Sequence, residues 1–233
     1  MLVVTRAMGD SIRTRDKLIE LGFDVFIEPM FEVEYLDFGT VSLDKYDVIA
    51  ITSRYGIDAL SSLTDVRSIS IVTVGDATKA YAESLGFRDV TSVAGVATDL
   101  SNHISLYAKN AKVLYARGVD IAHDLASTVR NAGVEVEELI VYRTMASSAL
   151  STEFCELLVT GKISGIVFYS KGAARTFVDL ATKYNDCFYM TCAYTLGSDY
   201  IETLGKYPWK GIYASKFPSE EALFQLLVDK RSL

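Results

Sequence analysis

FDVFIEPMFEVEYL, residues 23–36, and VEVEELIVYRTMA, residues 134–146, are the two stretches that decide the fold. Both have strand character over 13 to 14 residues. At ~3.3 Å per residue each reaches about 45 Å when extended, more than twice an ordinary strand. Pro29 sits near the middle of the first, where it breaks a central strand but suits a chain crossing from one domain to another. Read together, the stretches are two antiparallel connecting arms. The chain begins one domain, leaves it to build a second, and returns.

Outward from the arms, short apolar runs lead repeatedly into amphipathic helical patterns. Runs at 2–5, 47–52, 70–74, 90–93, 112–116, 166–169, 188–193 and 211–214 each precede such a pattern. Leu18 and Leu21 share one face of the first helix, and Gly22 stands at its C′ position. Ala77, Tyr81 and Leu85 recur at helical spacing before Gly86. Eight strand-to-helix passes mean α/β architecture with parallel sheets.

The second half repeats the first. VLYARG (113–118) and the helix ending Asn131-Ala132-Gly133-Val134 match LVVTRA (2–7) and its helix ending Glu20-Leu21-Gly22-Phe23. IVFYSKGAARTF (166–177) resembles VIAITSRYGIDAL (48–60). The expected fold is therefore two similar parallel-sheet, flavodoxin-like α/β domains joined by a two-stranded linker, the first domain discontinuous. Domain 1 is expected over 1–34 and 147–233, domain 2 over 37–143, with linker arms at about 30–37 and 139–147. The rival is a (β/α)₈ barrel, which has no place for two long arms.

The chain has 233 residues, half of them apolar, and a net charge of −7 from 23 basic and 30 acidic residues. That acidity excludes a basic surface for nucleic acid or anionic membrane. No apolar run reaches membrane length. Arg6 follows soon after the start Met and no apolar region precedes a small-residue cleavage site, so a cytoplasmic location is expected. Cys155, Cys187 and Cys192 are then expected as reduced, mostly buried thiols. His103 and His123 fall in separate predicted helices as surface or core residues without ligand spacing, so no metal is expected.

Ligands of open parallel sheets bind beyond the carboxyl ends of the strands, where helix N-termini favour anions. Those positions are small, polar or basic here: Thr5-Arg6, Thr52-Ser53-Arg54, Gly75 with Thr78, Arg117-Gly118, Ser170-Lys171-Gly172, Thr195 with Gly197-Ser198, and Ser215-Lys216. Taken singly, each is an ordinary N-cap or turn. As an ensemble they describe an anion-accepting cleft between two domains. Phosphate loops, dinucleotide fingerprints, nucleophile elbows, C-x-x-C pairs and H-E-x-x-H runs are absent from the sequence. From residues alone, the reading stops at a cleft-binding protein.

A resemblance extends it. Val4-Thr5-Arg6, Thr52-Ser53-Arg54, Val74-Gly75-Asp76-Ala77-Thr78, Leu114 to Gly118, Val141-Tyr142-Arg143-Thr144, Phe168 to Ala173, and Pro218-Ser219-Glu220-Glu221-Ala222-Leu223 stand in order along nearly the whole chain. The pattern resembles the uroporphyrinogen-III synthases. One turn departs from it: Tyr194-Thr195-Leu196-Gly197-Ser198 does not place its glycine and threonine where the family has them.

The resemblance implies a cofactor-free lyase acting on hydroxymethylbilane, a linear tetrapyrrole with eight carboxylates, and a monomer as the expected state. The substrate's hydroxymethyl group leaves as water, pushed out by the pyrrole nitrogen. Ring D then attaches through its substituted carbon, and the resulting spiro intermediate reopens and recloses with D inverted. Tyr142 is the implied proton donor to the departing hydroxyl, since a phenol is neutral at physiological pH. Backbone amides at the helix starts, helped by Ser53, Thr78, Arg117, Ser170 and Lys171, are implied to hold carboxylates, with Thr5, Gly75, Gly118, Thr195 and Ser198 beside them. Arg6 and Arg54 have structural ion pairs as a second fate. A non-enzymatic two-domain sensor of an anionic metabolite is the alternative, sharing the turns but needing no donor at Tyr142.

Overall fold

The first arm folds as two strands and the second as one. In the computed structural model, which describes residues 1–121 and 123–231, the chain runs β1 (Leu2–Val4), α1 (Met8–Glu20), β2 (Val25–Ile27), β3 (Phe31–Tyr35), β4 (Val48–Ile51), α2 (Arg54–Leu63), β5 (Ser70–Thr73), α3 (Asp76–Ser84), β6 (Asp89–Ser92) and α4 (Ala97–Tyr107). It continues with β7 (Lys112–Gly118), α5 (Leu125–Asn131), β8 (Glu135–Ala146), α6 (Thr152–Val159), β9 (Gly165–Phe168), α7 (Lys171–Ala181), β10 (Cys192–Thr195), α8 (Ile201–Leu204), β11 (Gly211–Ala214) and α9 (Glu220–Arg231). All eight expected strand-to-helix passes form.

Two sheets exclude the closed barrel. Their orders are β11-β10-β9-β1-β2 and β3-β8-β7-β4-β5-β6. The chain divides into unit 1, residues 1–32 with 145–233, and unit 2, residues 33–144. Pro29 lies between β2, which pairs with β1, and β3, which pairs with β8. The Leu36 amide donates to Val141 and the Ser147 amide to Met30, a falling index against a rising one, so the arms run antiparallel. Glu28, buried beside the break, accepts from the amide and hydroxyl of Ser151 at the start of α6 (2.7 and 2.6 Å).

Unit 1 has the doubly wound order 2-1-3-4-5 when its strands are counted along the chain. Unit 2 has the same order once β7 and β8 take the places of β1 and β2, with β3 added at the edge. The duplication is thus a circular permutation: each unit uses one copy of every repeated segment, taken from opposite halves of the sequence.

Core residues follow this winding. In unit 2, Ile57 and Leu60 of α2 and Ala82 of α3 pack with Ile49, Ile51 and Leu114, while Leu100 and Ile104 of α4 pack with α5 and Tyr115. In unit 1, Leu18 of α1 shares a cluster with Leu223 and Leu227 of α9, and Phe154, Phe177 and Leu204 form the opposite layer. Gly22 and Gly133 end α1 and α5 at positive φ (+80° and +85°), each followed by the bond pair of a Schellman motif. Among the described residues no helix is long and apolar enough to cross a membrane.

Candidate functional site

In unit 2 the chain leaves β7 toward β8 and leaves β4 toward β5, in opposite directions across the sheet. A crevice therefore opens between the carboxyl ends of β7 and β4, the place where open α/β sheets bind ligands. A cavity of about 250 Å³ lies there. Thr52 and Ser53 line it from the end of β4, Ala97 from the first turn of α4, Gly118 from the last position of β7, and His123 from the β7–α5 loop. Tyr115 and Tyr142 line it from β7 and β8, and Val74, Asp120 and Ile121 from the loops after β5 and β7.

Tyr142 reaches the cavity through a bulge. Ala116 pairs with Leu139, Arg117 with Ile140 and Gly118 with Tyr142, so Val141 has no partner in the register. Strict alternation would put Val141 and Tyr142 on opposite faces. With the extra residue, both pack against the α2 and α3 layer. Gly118 makes room for the ring: a Cβ there would stand 2.7 Å from two ring carbons of Tyr142. The Tyr55 ring lies 5.5 Å from that of Tyr142, and the Tyr142 carbonyl accepts from the Val119 amide. Below them, burial pushes the Tyr115 phenol up, against a hydrogen bond with Thr52 that favours the ionised form.

The other expected binding residues divide by local role. Ser53 caps α2, accepting from the Tyr55 amide (3.3 Å), and Ser170 caps α7, accepting from Ala173 (3.1 Å). Gly75 opens α3 with free space where a side chain would go, and Thr78 is half-buried one turn on. Arg54 stacks on the Tyr81 ring at 4.0 Å. Arg117 is bound to Glu138 (2.6 Å) and to the carbonyls of Gly118 and Val119. Arg6 pairs with Asp10 (3.4 Å) and Glu220 (3.3 Å), and Lys171 pairs with Asp199 (2.9 Å). Thr5 and Thr195 lie fully inside unit 1, where their hydroxyls donate to Val167 and Gly197. Ser198 opens a short 3₁₀ turn before α8.

One expectation is corrected. His123 is not helical: α5 begins at Leu125, capped by Asp124, and His123 stands in the loop before it, on the cavity wall. Helical periodicity could not flag a loop residue, and the cap signal at Asp124 was the available clue. His103 does lie within α4. Of the three thiols only Cys192 is buried; Cys155 and Cys187 are half-exposed.

A doubly wound α/β protein of two permuted units, with hydroxyls, phenols and helix starts gathered at a switch point, is the class that fold and site define. The family model described as uroporphyrinogen-III synthase HemD matches residues 13–225, and the chain belongs to that family. The crystal structure of uroporphyrinogen-III synthetase from Helicobacter pylori is similar at 16% identity and a TM-score of 0.64, with 99% of each chain covered. A mutant uroporphyrinogen III synthase from Thermus thermophilus is similar at 15% identity and a TM-score of 0.52, covering 100% of this chain and 98% of that one. At such identities the likeness is one of fold. No curated protein sequence matches the chain.

Proposed function

We propose that the protein is a uroporphyrinogen-III synthase, cyclising hydroxymethylbilane to uroporphyrinogen III with loss of water and inversion of ring D. The observation that carries this reading is Tyr142 set by a bulge and a glycine into the switch-point cavity of unit 2. The Tyr142 phenol donates its proton to the hydroxymethyl oxygen as the carbon–oxygen bond breaks, and water departs. The electron pair that expels it comes from the pyrrole nitrogen, so a weak acid suffices. Most of the protein's work is to hold a flexible chain in the geometry of inverted closure, and positioning of that kind supplies many kcal/mol without a strong acid or base.

The cavity is smaller than the ~300–1,000 Å³ typical for a whole drug-sized ligand, so it suits one substituted ring and not the entire bilane. The substrate's remaining carboxylates are assigned to amide groups at other helix starts, including those capped by Gly75, Ser170 and Gly197. Incubation with freshly prepared hydroxymethylbilane, followed by separation of the porphyrin isomers, tests the reading. Type III product is expected. Type I alone, the product of unassisted closure, would favour the non-enzymatic sensor.

A further inference from the structure

The side chains lining the unit 2 cavity include one that can become a cation, His123, and one carboxylate, Asp120. The basic residues nearest in sequence are engaged elsewhere, Arg117 with Glu138 and Arg54 over the Tyr81 ring. Among the described residues that line the cavity, His123 is the one that can offer an anionic ring substituent a positive charge.

The hydrogen bonds around His123 fix which nitrogen does this. Its Nε2 stands 3.3 Å from the Ser101 hydroxyl and 3.4 Å from the Thr128 hydroxyl. Each hydroxyl has a single proton, and both are spent: Ser101 donates to the Thr98 carbonyl (2.8 Å) and Thr128 to the Asp124 carbonyl (3.0 Å). The arrangement that satisfies all four contacts together has Nε2 donating to both hydroxyl oxygens, which makes Nδ1 the basic nitrogen of the neutral ring. Protonation at Nδ1 leaves both existing bonds intact. Among neighbouring charged or titratable groups, Asp120 shares the loop, Tyr115 and Tyr142 face the cavity from the strands, and Asp124 opens α5. The Asp124 carboxyl caps α5 and is held below its ordinary range by hydrogen bonds from Ser127, with smaller contributions from the nearby Arg130 and His123.

Resting on the proposed function, we infer that His123 takes up a proton at Nδ1 as substrate binds and pairs there with a carboxylate of the ring in the cavity. It is a binding and specificity residue, selecting an acid-bearing pyrrole over one with neutral substituents.

Uroporphyrin III, the oxidised form of the product with its carboxylates intact, serves as the probe. Its binding is followed by calorimetry in buffers of different ionisation heat, across about pH 5 to 8, where imidazole changes charge. Binding to the unsubstituted protein is expected to draw in about one proton at the alkaline end. His123→Gln, which keeps a donor for Ser101 and Thr128, is expected to draw in none and to bind about ten- to a hundredfold more weakly. His123→Lys is expected to restore affinity without the uptake. Wild-type affinity and uptake in His123→Gln would overturn the inference, as would an unsubstituted protein that does not bind uroporphyrin III. Type III synthesis is measured separately, so loss of that activity reading leaves this one to be judged on its own.

Discussion

The switch points of the two units are built from the same repeat and end differently. At the tip of β1, Arg6 lies 4.4 Å over the Tyr169 ring and pairs with Glu220, the first residue of α9. Lys17, Thr14 and the Tyr169 hydroxyl close on the same carboxylate (2.5, 3.3 and 3.4 Å), so the strand-end arginine of unit 1 sits in an ion cluster with α9. At the tip of β7, the matching Arg117 pairs sideways with Glu138 on the adjacent strand and folds back on its own loop. There the crevice stays open. The two strand-end arginines thus find their counter-ions in different places: on α9 in unit 1, on the adjacent strand in unit 2.

Breaking the open tip has the largest expected effect. Gly118→Val places carbon where the Tyr142 ring lies, and a displacement of about 1 Å at a reacting group lowers turnover about a hundredfold. Ala7, its counterpart in the repeat, already carries a Cβ at the start of α1. Ala7→Gly is expected to leave turnover within about twofold, as an uninvolved position does. Isomer-resolved rates for the two purified variants check this, with circular dichroism confirming the fold. Tyr142→Phe follows, with turnover expected to fall about ten- to a hundredfold and stability little changed. Tyr169→Phe removes the hydroxyl from the unit 1 tip and is expected to lower stability alone, by about 1 kcal/mol. Equal losses of turnover at Tyr142 and Tyr169 would erase the distinction between the tips.

Much of this frame was legible before any coordinates. The 14-residue arm with Pro29 inside it announced a crossing, and the structure breaks the strand there because proline removes a ladder donor. The repeated R-plus-small strand ends and the glycine-terminated helices exposed the duplication. The counter-ions were not legible. Arg6 meets Glu220 across 214 positions of sequence, and Arg117 meets Glu138 through strand pairing, contacts that tertiary folding alone creates. Thr5 and Thr195 showed the residue types of an anion site, yet their hydroxyls are turned inward to backbone carbonyls. His123 was read as helical because periodicity alone does not mark where α5 begins.

The unit 1 tip makes its own prediction. Burial alone would raise the Glu220 carboxyl, but Lys17 and Arg6 outweigh it and hold the group below its ordinary range. A carboxylate depressed in the folded state stabilises above its unfolded pKa, about 4.3, and that stability is lost as pH falls through the folded value. Glu220→Gln is therefore expected to lower unfolding free energy by about 1–3 kcal/mol at neutral pH, its side chain being only 17% exposed. The deficit should shrink as acid protonates the unsubstituted protein. Urea unfolding at several pH values checks the trend, and a constant deficit down the acid range would place the effect in packing instead of charge.

The smallest effects give the finest comparison, because Ser53 and Ser170 do the same structural job. Each caps the helix that follows its strand, so each alanine variant should lose about 1 kcal/mol of stability. They differ in surroundings: Ser53 lines the cavity, whereas Ser170 opens α7 beside Tyr169 at the unit 1 tip. Ser53→Ala is expected to raise KM for hydroxymethylbilane severalfold, about what one neutral hydrogen bond contributes, with kcat nearly unchanged. Ser170→Ala should move KM less, since its amides hold only a peripheral carboxylate on this reading. An equal rise in both variants would mean that the helix start at Ser170 contributes as much to substrate binding as the one at Ser53.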